Sequence, residues 1–84
     1  MTHMIKLINL LAENNMPFQV IIDEELDNTK QIFIPNYINP VFDIVCNKYS
    51  YGNKEGLLEI MNHENNECEG FLTAEDVYNI VKIS

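Results

Sequence analysis

The sequence predicts an α+β domain of two layers, in which an antiparallel sheet of three or four strands is flanked by an N-terminal and a C-terminal helix. Three runs rich in β-branched and aromatic residues occupy the middle of the chain. Helical periodicity precedes these runs, and a capped helix start follows them. Because a helix and a sheet each bury an apolar face, the order α-β-β-β-(β)-α is expected to pack as two layers.

The N-terminal helix is predicted over residues 4–15. Apolar residues recur there at the spacing i, i+3, i+4, i+7, which is typical of one buried helix face. Thr2 is placed to cap the first turn. Pro17 ends the helix, because proline disfavours α geometry in the residue before it. The apolar residues of this face are Met4, Leu7, Ile8 and Leu11.

The three middle runs are predicted to be strands, over Phe18–Ile22, Lys30–Ile34 and Val41–Cys46. A polar turn over residues 23–29 joins the first two strands as a long hairpin. Residues 35–40 contain two prolines and two asparagines, so this connection is not expected to pair regularly.

Leu57–Asn62 is predicted to be a fourth strand, since the turn before it, residues 52–56, suits a hairpin. Two helical turns are the alternative, because periodicity does not decide so short a run. His63–Gly70 is predicted to be a polar loop. Which face of the sheet each helix covers is not set by this pattern.

The C-terminal helix has the clearest local signals. Thr73 is placed as its N-cap, and Asp76 is placed as the reciprocal partner of a capping box. Leu72 and Val77 occupy the two positions of a hydrophobic staple. The helix is predicted to run to about Ile83.

Composition restricts the classes of partner. Thirteen acidic residues face five lysines, and arginine is absent, which gives a net charge of −8. This field disfavours direct binding of nucleic acid or of an anionic membrane, and it favours a basic protein surface. The 84 residues form one domain, residues 1–84, and their 46% hydrophobic content supplies a core with no cofactor.

The cysteine count and the first residues predict a cytoplasmic protein. Two cysteines are too few for a disulfide framework, so reduced thiols are expected. The chain opens on a helical pattern and not on a signal peptide. No apolar run approaches the ~20 residues of a membrane span.

Two clusters of carboxylates and a pair of loop tyrosines are the candidate partner-binding residues. Carried on one rigid sheet, the two clusters would imitate the spacing of phosphates and occupy the basic groove of a nucleic-acid-binding protein. Loop tyrosines are favoured anchors in interfaces. Solvated loops, and tyrosines that only cover the sheet ends, are the alternative. The candidates are Asp23, Glu24, Glu25, Asp27, Glu64, Glu67 and Glu69, with Tyr49 and Tyr51.

A calcium loop is an alternative interpretation of the second cluster. With Asn65 as position 1, Gly70 falls at position 6 and Asp76 at position 12 of an EF-hand, and a helix follows. Asn at position 1, the longer Glu at positions 3 and 5, and Asp at position 12 depart from the pattern. The alternative is therefore a degenerate EF-hand-like module.

Catalytic and zinc sites are not predicted. His3, Cys46, His63 and Cys68 lack the spacing of a dedicated zinc site. Cys46 or Cys68 with His63 is the candidate pair for nucleophilic catalysis, but the surrounding carboxylates disfavour the thiolate that a nucleophile needs. We expect no catalytic residue and no metal.

The segment from Ser50–Gly52 through Gly56–Ile60, together with Gly70–Val77, resembles small uncharacterised proteins encoded by phages and prophages of low-GC Gram-positive bacteria. The resemblance covers roughly the last 35 residues, and its motifs are a turn and a capped helix. The resemblance implies no catalytic residue. Phages encode small acidic inhibitors of host DNA-acting enzymes and defence systems, so it implies that class as a candidate.

The sequence therefore predicts a non-enzymatic, acidic protein-binding module. Its sharper form is an inhibitor that occupies the basic, nucleic-acid-binding surface of a host protein by charge mimicry. The alternative is a homodimer that buries a sheet face or edge and has a structural or regulatory role.

Overall fold

In the computed structural model, two helices lie on one face of a five-stranded antiparallel sheet. The structure describes residues 2–23, 29–46 and 56–83. The strands neighbour one another in chain order, so the sheet is a meander with β1 and β5 at its edges. The elements are α1 (His3–Glu13), β1 (Gln19–Asp23), β2 (Thr29–Ile34), β3 (Phe42–Val45), β4 (Leu58–Asn62), β5 (Glu67–Leu72) and α2 (Ala74–Ile83). The predicted α+β class is confirmed.

Helix α1 begins where its cap predicts. The Thr2 Oγ1 accepts a hydrogen bond from the Ile5 backbone N–H at 3.2 Å. The helix ends at Glu13, two residues before the predicted end, because Asn14 caps it and Asn15 takes a left-handed φ of 56°. Asparagine tolerates that region better than most residues. The buried face contains Met4, Leu7 and Leu11, as the spacing predicts, and Ile8 is partly buried against the same core.

Helix α2 carries the predicted capping box. The Thr73 backbone N–H donates to Asp76 Oδ2 at 3.0 Å, and the Asp76 N–H donates to Thr73 Oγ1 at 3.1 Å. The Ala74 N–H, another donor without a partner inside the helix, is satisfied by His3 Nδ1 at 3.1 Å. This last bond joins the starts of the two helices.

The cap makes α2 sensitive to acid. The pKa of Asp76 lies below its ordinary value, chiefly because the Thr73 backbone N–H hydrogen-bonds the carboxylate and secondly because the Thr73 side chain does. With a lowered pKa in the folded state, this stabilisation is present above the unfolded-state pKa and is lost as the pH falls through the folded-state pKa.

We predict that Asp76→Asn is less stable than the wild type at neutral pH, and that this difference shrinks as the pH falls below about 4. Thr73→Ala is expected to cost about 1 kcal/mol at neutral pH. Urea unfolding followed by circular dichroism across a pH series measures both effects. Glu75→Gln, in the same helical turn, is the control. A difference between Asp76→Asn and the wild type that does not change with pH would reject this role for the cap.

The core lies between the helices and one face of the sheet. Val20, Ile32, Ile44 and Ile60 are cross-strand neighbours in one row over four strands, on the face that the helices cover. The buried residues of both helices join the same cluster. Their burial is the main favourable term that holds the two layers together.

The opposite sheet face carries no helix among the described residues. Phe33 points to this face and is 8% exposed. The Tyr37 ring packs edge-on against the Phe33 ring, with a centroid separation of 5.1 Å. The Tyr37 backbone N–H donates a hydrogen bond to Gln19 Oε1 at 2.9 Å. The connection from β2 to β3, which contains a cis Ile34–Pro35 bond, therefore packs against this face.

Strand β4 confirms the strand prediction for the Leu57–Asn62 segment, whereas β5 corrects the loop predicted over residues 63–70. Only residues 63–66 form the turn, and Glu67–Leu72 pairs with β4. Glu and Gly are poor strand formers, so local preference hid this strand, and its pairing with β4 overrides that preference. A bulge interrupts the pairing near Phe71, whose φ is 60°.

The same pairing corrects the EF-hand interpretation. An EF-hand requires a helix before its loop. Here β4 precedes Asn65 and β5 occupies the middle of the supposed loop, so the segment is a β-hairpin followed by a helix.

The radius of gyration agrees with the size of the chain. The Cα radius of gyration is 11.6 Å. A folded chain of this length is expected at about 12 Å. Within the described ranges, neither helix has the length and apolar character needed to cross a bilayer.

Candidate partner-binding surface

Four of the nine predicted partner-binding residues lie in the described part of the chain: Asp23, Glu64, Glu67 and Glu69. The other five lie outside it. They are Glu24, Glu25, Asp27, Tyr49 and Tyr51. For Asp23 the structure describes the backbone, as the last residue of β1.

The sheet does not bring Asp23 beside the second carboxylate cluster. Asp23 pairs with Thr29, at the end of the sheet where β2 begins. Glu67 pairs with Asn62 of β4, at the end of the sheet where β2 finishes. Because β1 and β5 are also the two opposite edges, Asp23 and Glu67 lie at diagonally opposite corners. One flat surface carrying both predicted clusters is therefore not formed around these two residues.

The second cluster is held by the turn between β4 and β5. Asn62 Oδ1 accepts a hydrogen bond from the Glu64 N–H at 2.9 Å, and Asn65 Oδ1 accepts one from the Glu67 N–H at 3.0 Å. Asn66 takes a left-handed φ of 59°. Asparagine side chains favour such local bonds and such conformations, so this Asn-rich turn fixes the backbone positions of both glutamates.

A groove of about 400 Å³ lies between the first three residues of β5, Glu67–Glu69, and helix α2. Apolar side chains from three elements line it: Phe42 of β3, Ile60 of β4 and Ile80 of α2. Glu67 and Glu69 line it as well, because residues two apart on a strand point to the same face. Both glutamates are exposed.

A second groove, of about 230 Å³, adjoins the first, since Phe42 lines both. Its walls are mostly apolar and come from the end of β2, the connection after it, the segment after α1, and α2. Glu64 is the charged residue in this lining. We call Glu64, Glu67 and Glu69, with the two grooves that they line, the acidic surface.

Among the described residues that flank the acidic surface in sequence, negative charge predominates. Residues 56–83 contain six carboxylates and one cation, Lys82. The Lys82 ammonium lies 5.6 Å from the centroid of the Tyr78 ring, which favours it through a cation–π contact. Within the described ranges no lysine forms an ion pair with Glu64, Glu67 or Glu69. The field around the grooves is therefore negative.

A hydrogen bond that the sequence pattern does not reveal joins the β4–β5 hairpin to β3. His63 Nε2 lies 2.5 Å from Asp43 Oδ2, and the His63 backbone N–H donates to Val41 O at 2.8 Å. The side chains of His63 and Asp43 are 41% and 17% exposed. The two residues are twenty positions apart, so only the pairing of β3 with β4 brings them together.

The candidate nucleophiles and zinc ligands have other partners. Cys68 Sγ lies 3.4 Å from Met61 Sδ, and His63 bonds Asp43. Burial raises the pKa of the Cys46 thiol, which disfavours the reactive thiolate. His3 Nδ1 is bound to the start of α2. Over residues 2–23, 29–46 and 56–83, no three potential metal ligands converge.

The apolar floor of the first groove was also missed, although one signal points to it. Alternation along β4 places Ile60 and Asn62 on one face, and a strand over residues 67–72 would have placed Glu67 and Glu69 beside them. Ile80 comes from α2, and no pattern in the sequence relates it to β5.

The acidic surface is thus a groove of mixed polar and apolar lining beside a mostly apolar one, and both carry carboxylates. This arrangement suits cationic and apolar groups on one partner. The resemblance to phage proteins, which rests on a turn and a capped helix, stays a prediction. No family model, curated protein or solved structure matches this chain.

Proposed function

We propose that this chain is a non-enzymatic protein-binding module that docks on a basic surface of another protein. One observation carries the proposal: the three described glutamates of the second predicted cluster line two grooves that share Phe42. Carboxylates supply long-range attraction, and the apolar walls supply contact area after docking.

The sharper form of the proposal is inhibition of a host nucleic-acid-binding protein in the host cytoplasm. A surface that attracts phosphate is also attracted to a carboxylate-rich protein, so the module would compete with the nucleic acid. Net charge of −8 and the resemblance to phage proteins support this form. In this proposal Glu64, Glu67 and Glu69 imitate the phosphates, because Asp23 lies at the corner of the sheet diagonally opposite Glu67.

We predict that a basic partner captured from host extract by the wild-type chain is lost when Glu64, Glu67 and Glu69 are all changed to Gln. The neutral amides keep the side-chain shape and remove the attraction. Affinity capture with mass spectrometry compares the two baits. The control bait carries Glu13→Gln, Glu59→Gln and Glu75→Gln, which removes the same charge elsewhere.

The association rate of the captured partner then tests the mechanism. Steering by exposed charges weakens with ionic strength, so the rate is expected to fall as salt rises. A rate that is the same at low and high salt would reject charge mimicry. Equal capture by both variant baits would reject the acidic surface as the docking site.

A homodimer with a structural or regulatory role is the second candidate. The position of β5 at the end of the strand order favours it, because an edge strand is a template for pairing with another chain. Glu67 and Glu69 on both copies would oppose such pairing by repulsion. Sedimentation across a concentration series measures the oligomeric state. A monomer at every concentration would reject the homodimer.

A further inference from the structure

The groove between β5 and α2 is built for an elongated group with one apolar and one cationic part. Phe42 and Ile60, both buried, form the apolar base of the groove, and the half-buried Ile80 flanks it. Asn62 adds a polar group, and Glu67 with Glu69 give the groove a charged rim. Its volume of about 400 Å³ falls at the lower end of the range for binding pockets. The adjoining groove, with Glu64, has room for a neighbouring side chain.

The spacing of the two rim glutamates narrows the choice of cation. Glu67 and Glu69 are two residues apart on one strand face, so their Cα atoms are separated by about 7 Å. A single group that serves both carboxylates must donate in two directions. The planar guanidinium presents five N–H donors as a fork, whereas an ammonium is a compact, strongly hydrated charge.

We propose that this groove binds one arginine side chain of the partner, an inference that rests on the proposed function. The methylene stem lies on Phe42, Ile60 and Ile80, since arginine buries its stem against apolar surface and keeps its head at the rim. The guanidinium donates to Glu67 and Glu69 together. Specificity for arginine follows from the forked N–H donors of the guanidinium, and the attraction follows from the negative charge of Glu67 and Glu69.

The arginine must come from a different protein. This chain has no arginine, so a second copy has no guanidinium to place in the groove. Lys82, the lysine nearest in sequence, lies against the Tyr78 ring. The inference therefore names a heterologous partner whose contact segment carries arginine.

Nuclear magnetic resonance of the full chain tests the inference with three probes: N-acetyl-arginine methylamide, N-acetyl-lysine methylamide and N-acetyl-norleucine methylamide. The arginine probe is expected to shift the methyl signals of Ile60 and Ile80 and the amides of Glu67 and Glu69. The lysine probe is expected to bind about threefold more weakly. The norleucine probe, which has the stem without a charge, is expected to leave these signals unchanged.

Matched variants separate the groove from general charge. Glu67→Gln with Glu69→Gln is expected to weaken the arginine probe about fivefold, and Glu13→Gln with Glu75→Gln is expected to leave it unchanged. Ile80→Ala, which removes part of the wall, weakens it with the rim charges intact. Circular dichroism confirms that each variant is folded.

Three outcomes would overturn the inference: equal binding of the lysine probe, equal binding of the norleucine probe, or arginine-induced shifts spread over all carboxylates. If the arginine probe fails in the groove while capture of the partner still depends on Glu64, Glu67 and Glu69, the inference fails and the proposed function stands. If capture does not depend on these glutamates either, both fail.

Discussion

Replacing Ile44 with alanine is expected to lower the free energy of unfolding by about 2–5 kcal/mol. Ile44 lies in the central strand β3, is fully buried and is the cross-strand neighbour of Ile32 and Ile60. The substitution removes buried methylene and methyl groups and leaves a cavity that flanking strands on both sides cannot close.

This loss is large relative to the total free energy of unfolding of the chain. A chain of 84 residues is expected to have a stability on the order of 4–12 kcal/mol. Urea unfolding followed by circular dichroism gives the difference. Ile38→Ala is the control, since Ile38 is 90% exposed and its loss is expected to change stability by less than about 0.5 kcal/mol. A loss below about 1 kcal/mol for Ile44→Ala would contradict the two-layer core.

Reversing the charge of Glu67 and Glu69 is expected to weaken binding of the captured partner by about a hundredfold or more. Each Glu→Lys change removes a charge-assisted contact and puts a like charge against the partner. Loss of two contacts of about 1.5 kcal/mol each lowers the binding free energy by about 3 kcal/mol. Because about 1.4 kcal/mol corresponds to a factor of ten in the dissociation constant, this loss alone weakens binding about a hundredfold, before any repulsion is added. Isothermal titration calorimetry measures the dissociation constant.

The control keeps the total charge equal. Glu13→Lys with Glu75→Lys also adds four units, from −8 to −4, but on residues outside the acidic surface. We expect that variant to lose affinity only through the weaker long-range field, and less than about tenfold. Equal losses in the two double variants would show that net charge, and not the groove, governs binding.

The helices were predictable because their signals are local. The spacing of Met4, Leu7 and Leu11 marks one face of α1, and Thr73 with Asp76 marks the start of α2. Both signals lie within one or two turns of helix, where backbone geometry alone relates the residues. Strands β1, β2 and β3 were likewise marked by their β-branched residues.

Strand β5 was not predictable from its own residues. Glu67, Glu69 and Gly70 are all depleted in strands, and the segment forms a strand because β4 offers it a partner. Missing this strand also hid the fact that Glu67 and Glu69 share one face. Helices α1 and α2 contact each other on the same sheet face, an arrangement that no single segment encodes.

The candidate site was therefore predictable in part. The glutamates were identified as a cluster, but the apolar walls come from β3, β4 and α2, and only tertiary structure brings Phe42 and Ile80 together. The position of Asp23 relative to the second acidic cluster was not predictable for the same reason. Whether two turns meet depends on which ends of a sheet they join, and that requires the complete order of strands.

Amide hydrogen exchange of the chain, measured with and without the captured partner, locates the docking surface most directly. We predict slowed exchange over residues 62–69 and around Ile80, where the acidic surface lies. The amides of the edge strand β5 should show the largest change, because this strand carries Glu67 and Glu69 of the acidic surface. Slowed exchange confined to β1 and the sheet face around Phe33, with β5 unchanged, would contradict docking on the acidic surface.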